Sequence, residues 1–141
     1  MRSVFLVLTI CTVILSCKKD SSENYSFGQC PNAQYLDSAS ISNKLVGSWV
    51  WKKQACFPNK AANADKNVII AFNANSTFTV TENSVITTAG SWKLEINDIN
   101  YWALDLTSSS IYLYGAISFC KNQVIFNDSY RDGCDNLFVN Q

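Results

Sequence analysis

From Leu45 to the C-terminus, apolar and polar residues alternate in short runs separated by clusters of Asn, Ser, Asp and Gly. A period of two, interrupted this often by turn formers, predicts strands rather than helices. The stretch Leu45-Val46-Gly47-Ser48-Trp49-Val50-Trp51 opens the first strand, which runs from Leu45 to Phe57 and ends at the polar loop 58–66. A second strand, Asn67 to Phe72, turns through Asn73-Ala74-Asn75-Ser76 into a third, Thr77 to Thr81. The fourth is Val85 to Ile96, the fifth Tyr101 to Thr107, the sixth Ile111 to Cys120, the seventh Gln123 to Asn127 and the eighth Cys134 to Val139. Gly90, Trp92, Leu94 and Ile96 fall on one face of the fourth strand, with Ser91, Lys93 and Glu95 on the other. Trp102, Leu104 and Leu106 oppose Tyr101, Ala103 and Asp105 in the fifth, and Phe78 and Val80 alternate with threonines in the third. One apolar and one wet face is the mark of antiparallel strands, and short connections make sequence neighbours pair in space. Closing such a meander removes both of its edges. The expectation is therefore an all-β fold, an eight-stranded antiparallel up-and-down barrel over residues 45–141.

Upstream the pattern changes. Arg2 and the apolar run Val4 to Leu15 form a charged start and a core too short to span a bilayer as an ordinary helix, which is the layout of an export signal over residues 1–16. Residues 17–44 are polar and serve as tether and lead-in, with a turn at Gly28-Gln29-Cys30-Pro31-Asn32 and a short helical turn expected over Asp37 to Lys44.

Composition narrows the function classes. The 141 residues are 48% hydrophobic and 13% aromatic, enough for one domain with a real core. Eleven basic and eleven acidic residues balance, with no basic stripe, so nucleic acid is not an expected partner. Histidine is absent, which removes the commonest general base and metal ligand. No Gly-x-Ser-x-Gly, phosphate loop or acidic metal cluster is present, so neither catalysis nor a cofactor nor a metal is expected. Asp132 and Asp135 flank Gly133 and Cys134, and they read as a solvated loop before a calcium site.

The end of the signal, Ile14-Leu15-Ser16-Cys17, resembles the lipobox of bacterial lipoproteins. The resemblance implies cleavage after Ser16, a diacylglycerol on Cys17 and an acylated amino terminus of the palmitate type. Such multiple acylation anchors a protein durably in a membrane. The location it implies is the cell envelope, the outer membrane first, with the periplasmic or surface face open. Asp37-Ser38-Ala39 also resembles the O-glycosylation acceptor motif of Bacteroidetes. Within the strands, Gly47 and Trp49, the segment FNANSTFT at 72–79 and Gly90-Ser91-Trp92 resemble the lipocalin-like domain of small bacterial lipoproteins. That resemblance covers residues 45–141 and implies a calycin-type barrel with the Trp packed on its floor. Its Arg–Trp stack is not carried over to Arg131, because strand parity puts Arg131 and Trp49 at opposite ends.

Cys30, Cys56, Cys120 and Cys134 lie beyond the anchor. An exported chain meets an oxidising compartment, and four cysteines allow three pairings. Cys56 ends an upward strand and Cys134 begins a downward one beside it. Cys120 ends a downward strand, at the end from which Cys30 arrives. Parity therefore selects Cys56–Cys134 and Cys30–Cys120. Zinc is not expected without His or Cys-x-x-Cys.

Two functions follow. In the first, the open mouth of the barrel takes a small hydrophobic ligand, lined by Trp51, Phe72, Phe78, Val80, Trp92, Leu94, Trp102 and Leu104, with Lys53 at the mouth if the first strand has no bulge. In the second, the same side chains fill the barrel, since eight strands enclose little more than their own side chains. The protein then meets a protein or glycan through its loops, or through outward Tyr101, Tyr112 and Tyr114. A monomer is expected in either case.

Overall fold

Helix α1, Ser38–Leu45, stands where a short helical turn was expected, displaced by one residue. Asp37 caps it: its carboxylate accepts the Ser40 amide at 2.7 Å and the Ser40 hydroxyl at 3.0 Å. Ile41 and Leu45 are four apart, so one helical face carries both into the core. The computed structural model describes residues 26–28 and 30–141; the signal segment, Cys17 and most of the tether lie outside the described residues.

After α1 come β1 (Gly47–Cys56), β2 (Ala62–Asn63), β3 (Val68–Phe72), β4 (Thr77–Glu82), β5 (Val85–Ile96), β6 (Trp102–Leu106), β7 (Ala116–Cys120), β8 (Gln123–Asn127) and β9 (Cys134–Asn140). Short 3-10 turns occupy Ala33–Tyr35 and Ser129–Arg131. All pairings between the strands are antiparallel, in the order β6-β5-β4-β3-β1-β9-β8-β7, with β2 beside β1. This is the expected all-β, eight-stranded up-and-down barrel, nearly closed. The first and last strands meet as expected, β1 pairing β9 from Trp49↔Asn140 to Cys56↔Cys134.

Three details depart from the period-two reading. Leu45 and Val46 do not begin the first strand: Leu45 closes α1, and β1 starts at Gly47 with φ +141, a conformation that suits glycine. The buried Trp49 indole donates to the Leu45 carbonyl at 2.7 Å, tying the strand to the helix end. Second, the register slips between Trp51 and Lys53, so Lys52 is an extra residue and Lys53 pairs with Leu137, on the face opposite Phe138. Lys53 therefore does not point into the barrel mouth. Third, the expected sixth strand is half as long: β7 begins at Ala116, and 107–115 is a loop. That loop turns through Leu113 N–H donating to Ser110 O at 3.1 Å and folds Tyr112 and Leu113 inward. Gly115, at φ +91, passes so close to the Asn127 backbone that a Cβ there would collide with it.

The consequence is a seam. β6 and β7 end the strand order and do not pair with each other. The lead-in segment fills part of the space between them. Pro31 O accepts the Phe119 amide at 3.2 Å, and Asn32 bridges Ser118, whose hydroxyl donates to Asn32 Oδ1 at 2.6 Å. Further along, Leu36 O accepts the Trp102 indole at 3.0 Å. The segment thus touches β7 with one end and β6 with the other, and Ala33 between them is buried. The bond Cys30–Cys120 holds it there, and Cys56–Cys134 joins the far ends of β1 and β9. These are the two pairs that strand parity brings together.

Candidate binding site

The residues expected to line a ligand cavity pack against one another in the core instead. Trp51, Phe72, Phe78, Val80 and Trp92 are buried in one core cluster, against which Leu94, Trp102 and Leu104 pack half-buried. Rings meet edge to face, Phe72 on Trp92 at 5.5 Å and Phe126 on Phe138 at 6.0 Å between centroids. Both mouths of the barrel are stopped from outside the strands. Ile41, Leu45 and Ala33 enter at the end where β1 starts, and Tyr112 and Leu113 enter from the β6–β7 loop. Burying side chains of this kind stabilises by about 1.5–3 kcal/mol each. Among the described residues, the main surface clefts are not lined by Trp51, Lys53, Phe72, Phe78 or Val80. The rest of the set is scattered: Trp92 and Leu94 border a hollow beside α1, Trp102 one beside Leu36, and Leu104 the seam.

Tyr112 corrects a second expectation. It is not an outward aromatic; only 2% of it is exposed, and its ring meets Trp51 edge to face at 5.2 Å. Tyr101 is half-buried and Tyr114 exposed, so the three do not make one patch. The loop's inward fold, rather than its residue types, decided this. Lys66 Nζ lies 5.9 Å from the Tyr112 ring centroid and pairs with Glu82 at 2.7 Å. The Glu82 partner raises the Lys66 pKa, Lys66 lowers that of Glu82, and burial raises the Tyr112 phenol. The Tyr112 hydroxyl stands within the field of both ions but, like the Trp51 and Trp92 indoles, makes no hydrogen bond of good geometry among the described residues.

The cleft with the most chemistry lies along the seam, about 430 Å³ in volume. Its floor is the outer face of the β5–β6 hairpin, where the small, buried Ala103 stands opposite Glu95 and two residues before Asp105. Its walls are Tyr114 and Gly115 from the β6–β7 loop and Tyr130 and Arg131 from the 3-10 turn after β8. The hairpin and the turn are tied together: Asn97 Nδ2 donates to the Tyr130 hydroxyl at 3.1 Å, and Arg131 pairs with Asp98. The Arg131 guanidinium also covers the Tyr130 ring, 5.2 Å from its centroid. Arg131 thus has no part in a stack on Trp49. Asp135 is engaged as well, accepting the amides of Asp128 and Ser129 at 2.8 Å each and the Ser129 hydroxyl at 2.9 Å, so it closes a loop. No group of metal-ligating side chains forms among the described residues.

With this geometry in view, the class is that of nearly closed, antiparallel eight-stranded barrels with two disulfides. Comparison with protein-family models, with curated proteins and with solved structures finds no match to this chain. The two disulfides mark a non-cytoplasmic, secreted or envelope protein. No helix among the described residues is long and apolar enough to cross a membrane.

Proposed function

We propose that this protein is a lipid-anchored cell-envelope domain of the lipocalin-like type, held to the outer membrane through Cys17, that binds a protein or glycan partner with its outer surface. It is a non-enzymatic monomer in this reading. The observation that carries it is the double stopper: α1 and the β6–β7 loop put Ile41, Leu45, Tyr112 and Leu113 into the two mouths, where a carried hydrophobic ligand would have to sit. A solid barrel remains a rigid platform for loops, and recognition on such folds is commonly a property of the loops. The lipid anchor rests on the lipobox resemblance at Ile14-Leu15-Ser16-Cys17 and agrees with the disulfides.

Native mass spectrometry of residues 18–141, purified from an oxidising host, tests the reading. The expected species is bare and four protons lighter than the reduced chain, as two disulfides require. A non-covalent apolar mass released by organic solvent would overturn the solid barrel and restore the ligand-carrying one.

A further inference from the structure

We infer that the seam cleft is a docking site for a basic peptide, with a lysine or arginine side chain seated over Ala103 between Glu95 and Asp105. This deepens the proposal above and rests on it, naming the partner chemistry of one surface. Three independent features converge on the cleft.

The first is backbone. Asn97 N–H donates to Tyr101 O at 2.9 Å and Thr107 N–H to Ser91 O at 3.0 Å. In an antiparallel pair such bonds alternate, so the main-chain groups of residues 101, 103, 105 and 107 face β5 and those of Leu104 and Leu106 face the seam. No strand pairs with that edge among the described residues. Unpaired main-chain donors and acceptors beside a hollow suit a polypeptide, which brings its own.

The second is charge. The chain is neutral overall, but its charges are not evenly spread. The β5–β6 hairpin carries Glu95, Asp98 and Asp105 against Lys93, and segment 128–135 carries Asp128, Asp132 and Asp135 against Arg131. Of these, the residues that line the cleft itself are Glu95, Asp98 and Asp105 against Arg131. Lys93 satisfies Asp105 only from a largely exposed position, at 2.8 Å, and Glu95 makes no ion pair among the described residues. A neutral sugar needs no such excess; a basic side chain does.

The third is a built-in precedent. Arg131 already lies with its guanidinium on the Tyr130 ring and against the Asp98 carboxylate. One half of the cleft is thus furnished for a cation with an aromatic face and an anion. Half-exposed Tyr114, Glu95 and Asp105 line the same cleft and offer an aromatic face and two further anions.

The test is fluorescence anisotropy with labelled Gly-Arg-Gly-Arg-Gly on the purified, disulfide-bonded protein, and Gly-Gln-Gly-Gln-Gly as the neutral control. The arginine peptide should bind and the glutamine peptide should not. Glu95→Gln combined with Asp105→Asn should weaken binding by about tenfold or more. Ala103→Leu changes no charge and fills the floor, and it should weaken binding comparably; Tyr114→Ala, at an exposed position, provides a variant whose folding is not in question. Circular dichroism and disulfide content establish that each variant is folded. Equal binding of both peptides, absence of arginine-peptide binding, or wild-type affinity in both Ala103→Leu and Tyr114→Ala would each overturn the inference; the last would mean that diffuse charge alone attracts the peptide. These results leave the solid barrel standing, whereas a lipid-like mass inside the barrel would remove it whatever the peptide does.

Discussion

Asp37 shows how a single residue works in this fold. Its carboxylate accepts the Ser40 amide, which lowers its pKa, and the Ser40 hydroxyl lowers it further. A carboxylate with a lowered folded pKa contributes stability that is present above its unfolded pKa and lost as pH falls through the folded one. Asp37→Ala should therefore lower the melting temperature by a few degrees at neutral pH, and the gap from wild type should shrink in acid, as pH falls below the ordinary carboxylate value of 3.8. Thermal melts at neutral pH and in acid check this; a gap that persists unchanged in acid would assign the effect to something other than the charged cap. The short helical turn was legible over Asp37 to Lys44, but not that Asp37 stands before it as its cap. Nor was Lys53 legible. Its facing depends on the slip at Lys52, and that slip is visible only once β9 lies alongside.

At the scale of elements, the lead-in segment is a structural part of the barrel. It fills part of the space between β6 and β7, and Cys30–Cys120 closes a separation of 90 residues around it. The chain-entropy argument puts such a cross-link at about 4–5 kcal/mol. Replacing both cysteines by serine should cost stability of that order at most, and should raise hydrogen exchange at the Phe119 amide, which is bonded to Pro31 O. Replacing Cys56 and Cys134 should cost a similar amount, since 78 residues separate them, but should leave Phe119 protected. Equal loss of protection in both double variants would contradict the seam. Alternation revealed strands such as β3 and β4, which have one wet and one dry face, whereas β8 and β9 are buried on both faces. It did not reveal that the sixth would be shortened, because Ile111 to Tyr114 is as apolar as a strand. Ser110 and Gly115 were the local signals: one bonds back into the turn and the other permits the close pass by Asn127.

For the whole molecule the decisive matter is whether the barrel is hollow. Tyr112 is the side chain that stops one mouth, 2% exposed and packed on Trp51. Tyr112→Ala should cost about 3–5 kcal/mol, the range for removing a buried aromatic ring. It should also create a site for an apolar dye that the wild-type protein does not bind, read by fluorescence titration. Equal dye binding by both forms would show that the mouth was already open.

The chain by itself determined what depends on neighbours in sequence: the strand pattern, the short helical turn before it, and through strand parity which cysteines face each other. Those follow from side-chain period, turn chemistry and direction of travel, each readable within a few residues. Only the tertiary structure decided which two strands would fail to pair, what would fill the gap, and which way the β6–β7 loop would turn. Each of these depends on packing between residues far apart in the chain, such as Pro31 with Phe119 and Tyr112 with Trp51, where several arrangements satisfy the same local pattern and the one that buries the most apolar surface without stranding main-chain polar groups prevails.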